Sequence, residues 1–222
     1  MSRRLRLTLL IAAALAVVAL LSLLGFFLAL RHEPAFYRAA MQLKPAALEK
    51  GSDRMIQQAT ALTSAVKKPG HWEALFTAEQ INGWLAVDLV RNYPTSLPPT
   101  WHDPRITIDA KQVTIACRYQ KGEITSVLSL TVEPYLPEPN VIALRIVKAR
   151  AGLLPAPLRQ VTDRLEKAAA DVQCPLHWRS AGGDPVALLS FPPSGDRPVR
   201  IETLRLGDGE IYVAGSTEPR KP

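Results

Sequence analysis

The histidines and two segments rich in serine, glycine and aspartate hold the residue types best suited to metal binding or nucleophilic catalysis. The four histidines are His32, His71, His102 and His177. They are scattered along the chain and do not form the paired pattern of a zinc site. Segments 180–184 and 194–196 have the composition of turns, and neither has the strand–turn–helix setting of a nucleophile elbow.

Carboxylates offer no catalytic arrangement either. Asp88, Glu123 and Glu133 are well separated, so the sequence gives no support for general acid–base catalysis. Phosphate-binding loops and dinucleotide-binding fingerprints are also missing. We therefore expect a protein that is not an enzyme, that has no metal site and that uses no cofactor.

The two cysteines are candidates for a disulfide bond. Cys117 lies in the strand-like run VTIACRY, and Cys174 opens a second strand-like run, CPLHW. In an oxidising compartment such a bond stabilises the fold by about 4 kcal/mol through loop closure. Two separate buried thiols are the alternative, because the sequence does not report the distance between the cysteines.

Aromatic residues concentrate around one short helix. Thr77 and Gln80 have the spacing of a capping box, and Phe76 and Ile81 have the spacing of a hydrophobic staple. This signal predicts a helix that ends near Asn92. An apolar groove open at one end could accept an acyl chain or a partner helix. The candidate groove residues are Trp72, Phe76, Ile81, Trp84 and Leu85. An ordinary core between helix and sheet is the alternative.

An apolar segment near the N-terminus is predicted to anchor the chain in a membrane. The 24 residues from Leu7 to Leu30 carry no charge. As a helix they would span about 36 Å, enough for a hydrocarbon core of about 30 Å. Bulky residues stand where a signal peptide would need a small cleavage site, so we expect an uncleaved anchor rather than a cleaved signal. Arg3, Arg4 and Arg6 should keep the N-terminus cytoplasmic and place the C-terminal domain outside.

Residues 31–70 are predicted to form a helical stalk that leads away from the membrane. Pro34 and Pro45 are suited to the first position of a helix. Gly51 interrupts the apolar pattern, which permits either two helices or one helix with a weak point. We expect residues 1–30 to be the cytoplasmic tip and anchor, 71–215 to be the extracytoplasmic domain, and 216–222 to be a flexible tail.

The hydrophobic period changes from helical to two after Pro104. Alternating patterns predict four antiparallel strands up to Ile146, joined by short links and by the proline-rich connection EPYLPEPN. A helix over 158–172, two short strands near 174–179 and 186–191, and a hairpin around Gly207-Asp208-Gly209 follow. The predicted fold class is α+β, with a curved antiparallel sheet packed against two or three helices.

The charge distribution argues against a nucleic-acid partner. The chain carries a net charge of +7, of which three charges precede the apolar segment. The remainder holds 24 Lys and Arg against 20 Asp and Glu. This mild excess is unlike the concentrated basic surface of a nucleic-acid-binding domain.

The order of features resembles the YpmS-like family of bacterial single-pass membrane proteins. The resembling pieces are the anchor, the helix opening from Phe76 to Asn82, SLTVEP at 129–134, LLPAPL at 153–158 and the final hairpin. The resemblance covers about residues 75–220. It supplies no catalytic residues and implies work in the cell envelope, through the family's likeness to lipid-handling folds.

These observations lead to two functional hypotheses. The first is a membrane-anchored accessory protein of the cell envelope that binds lipid or another apolar ligand without catalysis. The second is a scaffolding or assembly subunit that binds another envelope protein. In both, residues 7–30 contact the membrane. The lipid would bind in the domain from residue 71 onward, whereas a protein partner would bind the stalk and an exposed strand edge.

Overall fold

The computed structural model describes residues 3–157, 159, 162–163, 166–167, 170, 175–191 and 197–219, and the side chains from residue 14 onward. The N-terminal apolar segment forms one helix, α1 (Arg3–Leu30). When only residues with described side chains are considered, no single helix is long and apolar enough to cross a membrane. The pair Ala14–Leu30 and Ala35–Met41, bent by 49°, meets that requirement by length and composition.

Two helices follow α1, and both pack against the rest of the molecule. They are α2 (Ala35–Met41) and α3 (Pro45–Val66). Tyr37 of α2 is fully buried, and α3 lies along α4 (Ala78–Ala86) and β1 (Gly70–Thr77). This packing differs from the predicted stalk, because 31–70 lies against the domain. Pro34 is the N-cap of α2, and Pro45 begins α3.

Helices α3 and α4 cross in backbone contact. Gly51 is buried inside α3, which continues past it as one helix. A Cβ at Gly83 of α4 would lie 2.5 Å from the Leu48 carbonyl oxygen and closer still to the Ser52 amide nitrogen. A Cβ at Gly51 would lie 2.6 Å from the Glu79 carbonyl oxygen. The two glycines therefore permit the close crossing, and Gly51 is a contact point rather than a break.

The predicted capping box is confirmed at the start of α4. The Gln80 amide donates to Thr77 Oγ1 at 3.2 Å, and the Thr77 amide donates to Gln80 Oε1 at 2.9 Å. The helix ends at Ala86, and α5 (Asp88–Asn92) follows after Val87. Residues 70–77, which sequence patterning did not predict as a strand, form β1.

A seven-stranded antiparallel sheet forms the body of the domain. Its strands are β2 (Trp101–Ile108), β3 (Val113–Lys121), β4 (Ile124–Glu138), β5 (Val141–Ala151), β6 (Leu154–Pro155), β7 (Leu176–Ala181) and β8 (Asp184–Ser190). The order is β2-β3-β4-β5-β8-β7, and β6 pairs with β5. The first four strands form the predicted meander. The proline-rich segment that was expected to connect strands instead extends β4, since Pro134 pairs with Leu144.

A second, three-stranded sheet has the order β1-β10-β9. The predicted final hairpin is formed by β9 (Val199–Gly207) and β10 (Glu210–Thr217). The strand β10 continues into the expected tail, where Thr217 is buried and its hydroxyl donates to the Val66 carbonyl at 2.8 Å. The helix predicted over 158–172 lies mostly outside the described residues, as does its whole apolar face. The described residues within it, such as Thr162 and Glu166, are helical.

Helices cover parts of both faces of the larger sheet. On the face that we call the core face, α4 and the smaller sheet pack on a buried apolar cluster. It contains Ile106, Ile108, Val113, Val132 and Ile146. On the opposite face, α2 packs through Tyr37 on Ala116 and Val127. Asn82 fixes α4 to the sheet, because its amide group bonds both the N–H and the C=O of Ile106. The fold is α+β, with a largely antiparallel sheet packed against helices.

Candidate functional site

The apolar helix α1 ends directly on the larger sheet. The last carbonyl groups of a helix have no partner within it and need other donors. The Leu153 amide donates to the Ala29 carbonyl at 2.9 Å, and Ser126 Oγ donates to the Leu30 carbonyl at 2.7 Å. Ser126 is almost completely buried. We call this contact the junction, and it joins helix to sheet without a flexible linker.

Gly152 allows this approach. It lies in the turn between β5 and β6 with φ +61°, in the left-handed region that favours glycine. A Cβ there would lie 2.5 Å from the Leu30 carbonyl oxygen and closer still to that of Ala29. The sequence AGLLPAP predicts a turn at this place. Nothing in that pattern indicates that the turn receives the end of a helix more than a hundred residues upstream.

Two loops of the sheet flank the end of α1. Arg31 reaches the β3–β4 hairpin, where its Nη2 donates to the Glu123 carbonyl at 3.4 Å. The guanidinium carbon of Arg31 also lies 4.2 Å from the centre of the Phe27 ring, a cation–π contact. Beside these contacts, the side chains of Ile124 and Leu153 are 52% and 48% exposed. Apolar and basic side chains therefore surround the helix exit.

Ile115 is an apolar side chain of the core face that stays exposed to solvent. Ile115 lies opposite Ile106 on β2 and opposite Leu130 on β4, so the three side chains share a face. Ile106 belongs to the buried cluster and Leu130 packs against it, yet Ile115 is 45% exposed. We call this exposed apolar position, Ile115 with its neighbours Ile106 and Leu130, the recess.

The recess and the junction share one face of the sheet. Leu130 lies four positions after Ser126 on β4, so the two side chains point to the same face. Four residues of extended strand span about 13 Å. An apolar chain that left the end of α1 could therefore reach Ile115 along the core face.

The predicted groove residues divide between the core and a separate aromatic pair. Ile81 and Leu85 pack against the buried cluster. Phe76 is half-buried and lies opposite Ile211, which packs on the same cluster. Trp84 is half-buried, and its ring centre lies 6.1 Å from that of Tyr93.

Trp72 lies on the smaller sheet. Its side chain is buried against Gly215, and its indole nitrogen meets no acceptor within the part of the chain that the structure describes. Ile81, Leu85 and Trp72 are packed as an ordinary core would require, whereas Phe76 and Trp84 stay half-buried. Ile115 is an exposed apolar position that the alternating pattern placed on the core face without indicating that it would be open.

A cleft of about 510 Å³ lies at the other end of the sheet. It is lined by Ala110, Lys111, Glu133, Pro134, Tyr135, Arg145 and Leu206. An ion pair of 3.4 Å joins Arg145 to Glu133, which also accepts a hydrogen bond from Gln112 at 3.1 Å. None of the predicted groove residues lines this cleft, and two of its charged groups, Arg145 and Glu133, pair with each other.

A partly buried polar cluster holds α2 against the sheet. The Tyr37 hydroxyl donates to the Asp103 carbonyl at 2.9 Å, and Arg118 pairs with the Asp103 carboxylate at 3.2 Å. Burial raises the pKa of Tyr37 to about 12. Burial also lowers the pKa of Arg105, whose side chain lies in the same cluster. These contacts are structural, since they fix one element on another.

A second polar cluster joins α3 to α5. The Ser52 hydroxyl donates to the Asp88 carboxylate, and the Asn92 side-chain amide donates to the other oxygen of the same carboxylate at 2.9 Å. Ser52 and Asp88 are both buried. This serine is therefore a helix–helix contact rather than an exposed nucleophile.

The disulfide prediction concerns one residue within the described structure and one outside it. Cys117 is buried on β3, while Cys174 lies outside the described residues, so the bond stays a prediction. Among the residues that are described, no three His, Cys, Asp or Glu side chains are grouped closely enough to hold a metal ion.

Comparison with known protein families, with curated proteins and with solved structures finds no match for this chain. The resemblance to the YpmS-like family therefore stays a prediction from the sequence. The junction and the recess are the features of this structure on which a functional argument rests.

Proposed function

We propose that this protein is anchored in a membrane by residues 7–30 and binds a lipid-like apolar ligand in the recess of an extracytoplasmic domain. The binding is not enzymatic. The observation that carries the proposal is the junction, because it places the core face of the sheet at the end of an apolar helix. Membership of the YpmS-like family belongs to the same proposal.

The side chains of α1 support the anchor. From Leu15 to Leu28 its large apolar side chains are exposed, and that of Leu21 is 61% exposed. Burying one such side chain is worth about 1.5–3 kcal/mol relative to water. These side chains therefore favour an apolar solvent, and α1 is 28 residues long, about 42 Å of helix.

The recess supports an apolar ligand. Ile115 lies between two residues of the core, so a lipid chain laid on it would complete a covered apolar surface. The recess also faces the same side as the junction, which shortens the path from a bilayer to the site. No charged group is needed for such binding, in agreement with the absence of a predicted catalytic site.

The anchor is tested by alkaline extraction of membranes that contain the full chain. We expect the protein to stay in the membrane pellet after carbonate treatment. Release into the supernatant, in the amount seen for a peripheral protein, would contradict the anchor. A variant lacking residues 1–30 serves as the control and should be released.

Ligand binding is tested by native mass spectrometry of the full chain released from detergent micelles. We expect bound lipid on the wild-type chain and loss of that lipid from Ile115→Asp. Leu75→Asp is the matched control, because Leu75 is also an exposed apolar strand residue but lies in β1. Ile115→Trp covers the recess with a large uncharged side chain. If this variant folds but carries no lipid, the loss is due to blocked binding and not to unfolding.

An unchanged lipid load in a folded Ile115→Trp variant would contradict binding in the recess. Crosslinking in intact membranes addresses the alternative function at the same time. A protein partner at fixed stoichiometry, without bound lipid, would favour the scaffolding or assembly role.

A further inference from the structure

The loops beside the end of α1 form a surface with a definite position relative to the anchor. We propose that the β3–β4 hairpin around Lys121 and Ile124, together with the turn at Gly152 and Leu153, docks in the headgroup layer of the bilayer. We call these residues the docking surface. This inference rests on the proposed anchor, and its occupant is the lipid surface itself.

Both loops of the docking surface lie close to the end of α1. The Leu153 amide lies 2.9 Å from the Ala29 carbonyl oxygen, and Arg31 contacts the Glu123 carbonyl at 3.4 Å. Both loops are therefore one hydrogen bond away from the last residues of the helix. The headgroup layer adds about 5–7 Å on each side of the hydrocarbon core. A helix that leaves the hydrocarbon at Leu30 brings both loops into this layer.

The contact between α1 and the sheet is tightly packed. Gly152 leaves no space between its own backbone and the carbonyls of Ala29 and Leu30, and buried Ser126 holds the second of these carbonyls. A flexible linker would let the domain move away from the bilayer. The junction instead fixes the tilt of the domain relative to α1, so the same loops face the lipid at all times.

The docking surface combines apolar and charged side chains. It exposes two large apolar side chains, Ile124 and Leu153, beside the basic side chains of Lys121 and Arg31 and the carboxylate of Glu123, so basic charge is in excess there. Apolar groups that enter the acyl boundary, with cations near the phosphates, are the combination that interfacial segments use. The guanidinium group of Arg31 lies over the Phe27 ring, so its charge is held at the end of α1.

Single exposed apolar residues are common on protein surfaces and need no partner. The docking surface differs from such residues in its continuity with the anchor. The opposite end of β3 provides a natural comparison, because β3 rises about 3.3 Å per residue and its two ends lie about 26 Å apart. Lys111 is exposed in the turn at that far end.

Photocrosslinking to lipid tests the inference. The photoreactive amino acid p-benzoylphenylalanine is placed at 124, 153, 111 or 21 of the full chain, in nanodiscs of phosphatidylcholine and phosphatidylglycerol. We expect lipid adducts at 124 and 153 in yields comparable with that at 21, within α1, and only background at 111. Intact-protein mass spectrometry measures the adducts.

The outcomes separate this inference from the anchor. Adducts at 21 together with background at 124 and 153 would reject the docking surface and leave the anchor in place. Background at 21 would reject the anchor itself. As a second variant, Gly152→Val should force the junction apart and reduce the adducts at 124 to background while those at 21 persist. Adducts at 124 that survive this change would contradict the role of the junction in docking.

Discussion

At the residue scale, the junction depends on Gly152, and Gly122 provides a comparison within the same chain. Both glycines have nearly the same backbone conformation, with φ +61° and +59°. Their surroundings differ, because no atom lies within 4 Å of a Cβ added at Gly122, whereas Gly152 faces the carbonyls of Ala29 and Leu30. Substitutions at the two glycines therefore separate the free-energy cost of backbone strain from the cost of losing the contact with α1.

Alanine at these two positions should have unequal effects on stability. Gly122→Ala carries only the strain of the left-handed conformation, about 1–2 kcal/mol. Gly152→Ala carries the same strain and also displaces the end of α1, so we expect a clearly larger loss in the free energy of unfolding. Thermal unfolding of the full chain in detergent measures both. Equal losses would show that the junction adds nothing to stability.

Tyr37 predicts a pH dependence in the alkaline range. Its pKa is raised by burial from 10.0 to about 12, and unfolding returns it to the ordinary value. The unfolded chain therefore releases the proton first as pH rises, so the contribution of Tyr37 to stability is complete below pH 10.0 and is lost as pH approaches about 12. Urea unfolding across this pH window should show a smaller decline in the free energy of unfolding for Tyr37→Phe than for wild type. Tyr135→Phe, which changes a partly exposed ring, is the control and should keep the decline.

At the element scale, the crossing of α3 and α4 determines that residues 31–70 belong to the packed body. Pro45 and the apolar spacing correctly indicate a helix, but they do not say what the helix packs on. The decisive contact, Gly51 on Gly83, is formed between residues far apart in the sequence. A glycine inside a helical pattern lowers helix propensity, and only the partner helix reveals that it is a contact point.

Alanine at Gly83 tests the crossing. Its Cβ would collide with the backbone of α3, and overpacking of this kind costs about 1–3 kcal/mol, or more where backbones must separate. Gly25→Ala is the matched control, since no atom lies within 4 Å of a Cβ there and alanine favours helix. We expect a large fall in the unfolding midpoint for Gly83→Ala and none for Gly25→Ala. A neutral Gly83→Ala would contradict the close crossing.

Local signals in the sequence predicted the helices and strands better than they predicted the contacts between them. The Thr77–Gln80 capping box and the alternation after Pro104 depend on neighbouring residues, and both are found in the structure. The strand β1 was missed because its alternating Trp72, Ala74 and Phe76 also fit an aromatic cluster around a helix. The junction could not be predicted at all, since Ser126 meets Leu30 across 96 residues and no local pattern encodes such a pairing.

At the scale of the whole molecule, the proposed arrangement is a domain held at a fixed tilt on an apolar helix. The charges that flank the helix then decide on which side of the membrane the domain resides. Arg3, Arg4 and Arg6 precede α1 along the chain, whereas Arg31 and Arg38 follow it. Basic residues near the ends of a span favour the cytoplasmic side, so the two groups oppose each other.

Changing these arginines should therefore change the orientation. We expect replacement of Arg3, Arg4 and Arg6 by Gln to leave the charges after α1 dominant and to retain the C-terminal domain in the cytoplasm. Replacement of Arg31 and Arg38 by Gln is the matched control and should reinforce export. Alkaline phosphatase fused after Pro222 is active only outside the cytoplasm of a bacterial host, so its activity should fall in the first variant and persist in the second. Equal activity in both would mean that the flanking arginines do not set the orientation, and the proposed extracytoplasmic position of the recess would then need another cause.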